Sequence, residues 1–233
     1  MTGCVLGVIV LGGNNVGKPI ILIAAVFLID AASTYAQMTN LFQLARDGTP
    51  ESVQAAISNG ADVNALDKYG LTPLMIAARF NTNPIVITTL LKAGADIEAR
   101  GTDGSTPLMY AAAKNQNPVV ITTLLKAGAD IAARDANGMT PLIAAALSNQ
   151  NPEVITTLLK AGADIGARNR DGSTVLMAAA GFNPNPEVIV TLLKAGADGK
   201  AKSNEGKTAF DYAQYNEKLK GTDAYWKLNE AQY

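Results

Sequence analysis

The feature that most constrains this chain is an internal repeat of 34 residues. One unit, from residue 67 to residue 100, reads DKYGLTPLMIAARFNTNPIVITTLLKAGADIEAR, and three close copies follow it without interruption. Threonines recur at that spacing at positions 72, 106, 140, 174 and 208, and glycines at 60, 94, 128, 162 and 196. Repeats of this length are typical of stacked arrays, in which each unit buries its apolar surface against its neighbours.

Each unit carries the signals of two short helices. A turn of the form Asp-x-x-Gly precedes Thr72, whose hydroxyl is placed to cap a first helix that begins at Pro73. Asn83 and Pro84 repeat this arrangement for a second helix, and Gly94 is placed to end that helix in a left-handed turn. The residues expected to face the core recur at helical spacing: Leu74, Ala77, Ala78, Val86, Ile87, Leu90 and Leu91.

With its Thr-Pro-Leu start and Gly-Ala-Asp end, the unit resembles the ankyrin repeat from about Thr39 to Tyr215. The resemblance implies an all-α repeat solenoid of helix-turn-helix units that carry β-turn fingers. The family's usual period of about 33 residues is exceeded here by one, and we place the extra residue in the Asn-x-Asn-Pro linker between the helices.

The family usually has a histidine after Thr-Pro-Leu, which holds neighbouring turns together by hydrogen bonds. This chain has no histidine, and the equivalent positions are Met75, Met109, Ile143, Met177 and Asp211. We expect the four apolar side chains to replace those hydrogen bonds with packing, which leaves the rigidity of the fingers in doubt.

The array is expected to contain about six units, two of which are caps with more polar outer surfaces. The predicted ankyrin-repeat domain spans 37–233, with an N-terminal cap unit, four repeats and a C-terminal cap unit at 38–66, 67–100, 101–134, 135–168, 169–202 and 203–233. Trp226, in the last unit, is expected either to fold back on the last helix or to lie in a frayed tail.

Residues 1–36 are predicted to be a signal peptide with an N-terminal extension. Lys18 precedes an apolar run at 19–29, and small residues then lead to Ala36, so the mature chain would begin at Gln37. The alternative is an uncleaved anchor. A signal peptide implies a periplasmic or secreted protein whose contact with the membrane is limited to this segment.

Composition argues against an enzyme and against nucleic acid. Without histidine, and with Cys4 as the single cysteine, the chain lacks the residues for a Ser-His-Asp triad or a His/Cys zinc site. The 19 basic and 20 acidic residues leave no positive excess to neutralise phosphates. The spacing of residues 12–18 matches a phosphate-binding loop, but Pro19 stands where a Ser or Thr should hold magnesium. We therefore expect no cofactor.

A column of aspartates could suggest a calcium site. Each Gly-Ala-Asp supplies one member, at Asp62, Asp96, Asp130, Asp164 and Asp198. A carboxylate directly after a left-handed glycine is also well placed to accept backbone N–H groups of the following turn. We expect the second role and no bound metal.

The resemblance further implies that the fingers and first helices line a concave face, where family members usually bind other proteins. Positions on this face vary between the repeats while the rest of the unit hardly changes. The candidate partner-binding residues are Lys68, Tyr69, Leu71, Arg79, Phe80, Asp103, Lys114, Met139, Leu147, Arg170 and Phe182. The apolar ones would form a stripe of binding hot spots; the alternative is that several pack between neighbouring loops.

The sequence thus predicts a non-catalytic scaffold or accessory protein, monomeric and exported, that binds a protein partner. Signal peptide and repeats together are similar to those of bacterial periplasmic ankyrin proteins, some of which support oxidative-stress enzymes such as catalases. The alternative is a secreted effector that acts on a host protein. An enzyme would have to rely on Asp, Glu, Lys or Tyr alone.

Overall fold

The computed structural model describes residues 41–233. Within them the chain forms twelve helices and no strand, apart from one isolated bridge between Arg168 and Thr174. The helices are α1 (described over 41–47), α2 (Pro50–Ser58), α3 (Pro73–Phe80), α4 (Pro84–Lys92), α5 (Pro107–Lys114), α6 (Pro118–Lys126), α7 (Pro141–Ser148), α8 (Pro152–Lys160), α9 (Val175–Phe182), α10 (Pro186–Lys194), α11 (Ala209–Ala213) and α12 (Asp223–Ala231).

The helices stack in two layers. The first helices of the units, α3, α5, α7, α9 and α11, contact one another in order. The second helices, α2, α4, α6, α8, α10 and α12, do the same in the other layer. Each unit joins one helix of each layer, which gives six helix pairs along the described part of the chain. The predicted all-α repeat solenoid of about six units is therefore confirmed.

The helix starts follow the predicted caps. The Thr140 hydroxyl accepts the N–H of Ile143 at 3.3 Å, and the Asn151 amide oxygen accepts the N–H of Glu153 at 2.9 Å. Proline occupies the first turn of α2, α4, α6, α8 and α10, which are the second helices of their units, and of the first helices α3, α5 and α7. Helix α9 begins at Val175 instead. Because proline lacks an N–H and has a fixed φ, it costs little at this position.

Small residues let the first helices approach closely. In α7 the side chains of Leu142, Ala145 and Ala146 are fully buried, and the equivalent residues of α3, α5 and α9 are equally buried. Contacts between successive first helices are more extensive than those between successive second helices. A stack whose inner layer is more tightly packed curves toward that layer, which places the first helices on the concave side.

The linker between the helices contains a buried asparagine ladder. Asn149 is fully buried, and its amide nitrogen donates to the carbonyls of Ala112 and Asn115 in the preceding unit, both at 2.8 Å. Its oxygen accepts the N–H of Asn151 at 2.9 Å. The other members make the same contacts one unit away: Asn81, Asn115, Asn183 and Asn216. The linker therefore does more than accommodate an extra residue, because it joins each unit to the one before.

A second set of hydrogen bonds joins the fingers. Arg134 donates through one Nη1 to the carbonyls of Gly138 at 2.8 Å and Arg168 at 2.7 Å, and Arg100 and Arg168 do the same in their own units. Backbone bonds add to this, as from the N–H of Arg170 to Asn137 at 2.9 Å. The fingers are thus held by arginine and backbone groups, which offsets the missing histidine.

The methionines that stand in the histidine column are buried, as the packing hypothesis requires. Met75, Met109 and Met177 are at most 2% exposed. The sulfur atoms of Met75 and Met177 also lie 3.4 and 3.3 Å from the backbone N–H of Thr72 and Thr174. Packing is therefore their main contribution, and a weak sulfur contact to the cap accompanies it.

The C-terminal segment folds back on the array. Helix α12 packs against α10 and α11, where it buries Ala224 and Leu228. The ring of Tyr225 lies 5.0 Å from that of Phe210, and the ring of Trp226 lies 5.2 Å from Tyr225. Of the two alternatives, the folded-back segment is confirmed, although Trp226 itself stays 55% exposed.

Among residues 41–233, no helix combines the length and apolarity that crossing a bilayer requires. The predicted signal peptide at 1–36 and the phosphate-loop spacing at 12–18 lie outside the described residues.

Candidate functional site

The concave face is built from the fingers and from the exposed ends of the first helices. Six of the eleven predicted residues line two neighbouring grooves on this face: Arg79, Asp103, Lys114, Met139, Leu147 and Phe182. The other five lie on the fingers or beside the first groove: Lys68, Tyr69, Leu71, Phe80 and Arg170. The structure therefore brings together about half of the predicted set.

The first groove lies between the second and fourth units and has a volume of about 260 Å³. Arg79 and Lys114 supply positive charge to its wall, and Asp103 supplies a carboxylate from the finger between them. Its apolar lining includes Met109, Met139 and Leu147. The groove thus combines apolar surface with both signs of charge.

Tyr110 projects into this first groove. Its hydroxyl donates to the Oδ1 atom of Asp103 at 3.3 Å. Burial, together with the negative charge of Asp103, raises the pKa of Tyr110 to about 12. The phenol therefore stays protonated at neutral pH, where it serves as a hydrogen-bond donor and as flat apolar surface.

Cations surround an exposed aromatic ring beside the first groove. The guanidinium carbons of Arg46 and Arg79 lie 4.8 and 4.9 Å from the ring centroid of Phe80, which is 43% exposed. Arg46 occupies in α1 the position that Arg79 occupies in α3, and Lys114 lies at the end of α5. Three successive first helices thus end in a cationic and aromatic patch, which is a suitable contact surface for a partner.

Arg79 has an unsatisfied donor. Its Nε atom is the single buried side-chain nitrogen or oxygen, among residues 41–233, that lacks a hydrogen-bond partner. A buried donor left without an acceptor costs roughly 1 to 3 kcal/mol.

The second groove lies toward the C-terminus and has a volume of about 390 Å³. Met139, Ile143 and Met177 form part of its apolar lining, and Phe182 stands at its edge with 68% of its surface exposed. Asp171, Glu205 and Lys207 add polar groups from the fingers. Since Glu205 and Lys207 pair with each other at 2.8 Å, this groove has little unpaired positive charge.

Met139 and Leu147 line both grooves, so the two form one continuous surface along the concave face. Both side chains, like Leu71, are half-buried and pack against the core. These three residues thus fit the alternative of packing between neighbouring loops, although Met139 and Leu147 still line the grooves. Tyr69, Phe80 and Phe182 keep the exposure that the stripe requires.

The finger residues outside the grooves have simpler surroundings. The Lys68 ammonium lies 4.9 Å from the ring of Tyr69, and both side chains are exposed at the tip of their finger. Arg170 is exposed on a later finger, where its backbone joins the inter-finger hydrogen bonds. These residues extend the face but do not shape a groove.

The sequence analysis missed Tyr110, Tyr212 and Arg46. The two tyrosines line the first and second grooves, at a column of the first helix that is otherwise Ile76, Ala144 and Ala178. Variation in this column could have identified them. Arg46 was missed because the N-terminal cap unit was not aligned with the repeats position by position.

The aspartate column has the predicted structural role. Asp130 accepts the N–H of Ala132 at 2.8 Å, and the other four aspartates accept the equivalent N–H two residues later. Among residues 41–233 no three His, Cys, Asp or Glu side chains lie together as metal ligands would.

The comparisons with known proteins agree with this architecture. A family model described as ankyrin repeats (3 copies) matches residues 23–101, 41–135 and 86–169. A second model, described as ankyrin repeats (many copies), matches residues 158–213. A search of curated proteins found no match.

Proposed function

Because the chain belongs to the ankyrin-repeat family, whose repeats are generally protein–protein interaction modules, we propose that it is an exported scaffold that binds a protein partner on its concave face. The observation that carries the proposal is the continuous surface formed by the two grooves. Its residues differ from unit to unit, whereas the buried ladders and caps repeat. Members of the family are typically non-catalytic, and binding is the activity assigned here.

The shape of this surface and its exposed side chains suit a protein partner more than a small molecule. The grooves are shallow, and exposed aromatic rings stand at their edges rather than closing over them. Small-molecule sites usually enclose most of their ligand, whereas protein interfaces rely on aromatic and arginine anchors on a broad surface. Phe80, Phe182 and Arg79 fit the second description.

The experiment is a pull-down with the 37–233 chain, crosslinking and mass spectrometry. Phe182→Ala is compared with Ile85→Ala, since both residues are exposed and apolar, but Ile85 lies on α4 away from the concave face. We expect the captured partner to be lost with Phe182→Ala and kept with Ile85→Ala. Equal capture by both variants would contradict the concave face as the binding surface.

The compartment is part of the proposal and has its own test. Cell fractionation and N-terminal sequencing of the full-length protein are expected to show a processed chain in the periplasm or the medium. Recovery inside a host cell, bound to a host protein, would favour the effector. An unprocessed chain would contradict export by a cleaved signal.

A further inference from the structure

We propose that the concave face receives an acidic peptide segment of the partner, with a carboxylate held between Arg79 and Lys114 and with Arg46, beside Phe80, adding positive charge. An apolar side chain of the same segment would then occupy the second groove, against Leu147 and Phe182. This inference rests on the proposed function and adds to it the chemistry and the polarity of the bound segment.

The first observation is the unpaired positive charge at the N-terminal end of the face. The ion pairs among residues 41–233 are Lys207–Glu205, Lys220–Glu217 and Lys227–Asp223, all in the last unit. Arg46, Arg79 and Lys114 belong to none of them. Asp103 and Asp135 line the same groove as Arg79 and Lys114, but neither forms an ion pair with them, so an external carboxylate would give these cations a direct partner.

The nearby acidic side chains are already engaged. Asp67 accepts the N–H groups of Tyr69 and Leu71 through Oδ1, both at 2.8 Å. Asp103 accepts the N–H of Ser105 at 2.9 Å and the hydroxyl of Tyr110. Asp47, at the end of α1, accepts the amide of Gln43 at 2.7 Å. These carboxylates organise their own turns and helix ends and form no ion pair with the three cations.

The second observation is the unsatisfied Nε of Arg79. The guanidinium carbon lies 4.9 Å from the ring centroid of Phe80, and its Nε is buried without an acceptor. A planar guanidinium presents parallel N–H groups that match the two oxygens of a carboxylate. Nothing in the described chain supplies that carboxylate.

Folding alone does not require these cations. A cation in the last turn of a helix interacts favourably with the helix dipole, and Arg79 and Lys114 are placed to do so. The equivalent ends of α7 and α9 have no cation in the last turn, although both helices form. Among the first helices α1 to α9, cations near the C-terminal end are therefore confined to α1, α3 and α5, as a binding role at one end of the face would require.

The charge of the second groove selects a short acidic segment over a polyanion. Asp171 and Glu205 line that groove, and they would repel a nucleic acid that continued along the face. A peptide with one acidic end and one apolar end matches both halves. Stacked helices lie roughly 8 to 10 Å apart, so two units separate the sites by about 18 Å, and an extended chain covers that in about five or six residues.

The test uses the full chain and three synthetic peptide libraries. In the first, Asp or Glu lies about five or six residues from Phe or Leu; in the second, the acid is replaced by Asn or Gln; in the third, by Lys. We expect selective retention of the first library. For a peptide selected from it, we expect Arg79→Gln and Lys114→Gln each to weaken binding about tenfold in fluorescence anisotropy, as loss of one partly buried charge pair does.

Lys126→Gln is the matched control, because Lys126 is an exposed cation in the last turn of α6, on the second-helix side of the array and outside both grooves, and it should leave affinity unchanged. Circular dichroism checks that each variant folds. If Arg79→Gln does not fold, Lys114→Gln still tests the proposal, because Lys114 is exposed and its substitution is not expected to disturb the fold. Equal retention of all three libraries, with binding still lost in Phe182→Ala, would overturn the acidic segment and keep the proposed function. Tighter binding of an oligonucleotide at the same cations would also overturn it. Binding insensitive to Phe182→Ala and to both cation variants would overturn both proposals.

Discussion

The linker between the two helices of each unit and the exposed end of the first helix lie next to each other in the chain but behave in opposite ways. Asn115, Asn149 and Asn183 are buried, chemically identical and hydrogen-bonded in the same way in their three units. The residues immediately before them, Lys114, Ser148 and Phe182, differ in size, charge and exposure. One residue therefore separates a position that joins the array from one that is free to vary.

This difference shows how an array preserves its fold while its surface changes. The asparagine amide satisfies carbonyls that the end of the preceding helix leaves without partners, so its removal affects two units at once. Of the neighbouring side chains, Lys114 and Phe182 are exposed and contribute little to folding, while the half-buried Ser148 donates to the carbonyl of Ala113 at 3.2 Å. Substitutions on the two sides of this boundary should therefore have very different consequences.

The largest effect is expected from Asn149→Ala. The substitution leaves the carbonyls of Ala112 and Asn115 and the N–H of Asn151 without their partners. Since each unsatisfied buried group costs roughly 1 to 3 kcal/mol, we expect a loss of about 3 kcal/mol in the free energy of unfolding. Urea denaturation followed by far-ultraviolet circular dichroism measures it.

Gln150→Ala is the control, because Gln150 lies in the same linker with an exposed side chain and uses only its backbone carbonyl, which accepts from Asn185 at 2.6 Å. It should change stability by less than about 0.5 kcal/mol. The single tryptophan, Trp226 in α12, reports on the last unit separately. Similar losses for both variants would show that the ladder does not join the units.

Much of the fold could be predicted from the sequence, because its signals are local and repeated. Thr140, Pro141 and Asn151 act at the helix starts by bonds to residues two or three positions away, and a pattern shows such bonds directly. Repetition then confirms each assignment in the other units. The caps, the left-handed glycines and the core columns were all predicted correctly for this reason.

The ladders were missed because their bonds connect different units. Asn149 reaches a carbonyl 37 residues earlier, and Arg134 reaches one 34 residues later. The pattern of one unit contains no sign of either contact. On the concave face the same limit applies to Leu147 and Met139, which appeared exposed from their position in the unit but are partly covered by neighbouring units.

The next comparison is between Arg168 and Arg170, two arginines of the same finger that differ in their hydrogen bonds. Arg168 donates to the carbonyls of Gly172 and Lys202, both at 2.7 Å, whereas the side chain of Arg170 makes no hydrogen bond within residues 41–233. We expect Arg168→Ala to cost about 1 kcal/mol, since two charged hydrogen bonds are lost at an exposed site. Arg170→Ala should be within about 0.5 kcal/mol of the wild type.

Thermal unfolding of the two variants, side by side, measures this difference. Hydrogen exchange of the N–H of Asn204, which bonds to the finger carbonyl of Asp171 at 3.0 Å, reports on the finger itself. Faster exchange is expected in Arg168→Ala alone. A variant that exchanges like the wild type would mean that the backbone bonds between fingers suffice without arginine.

The smallest effect is expected for Tyr110, a half-buried residue that lines the first groove at a position that varies between the units. Its pKa is raised to about 12 by burial and by Asp103, so the folded state favours the protonated phenol. The stabilisation is complete below the ordinary tyrosine pKa of about 10 and is lost as the pH rises through about 12. Absorbance of tyrosinate, read at once after a pH jump, should show a component near pH 12 that Tyr110→Phe removes. Asp103→Asn should shift it only partly downward, because burial is the larger cause. An unchanged titration in Tyr110→Phe would place this ring in solvent and separate it from the groove.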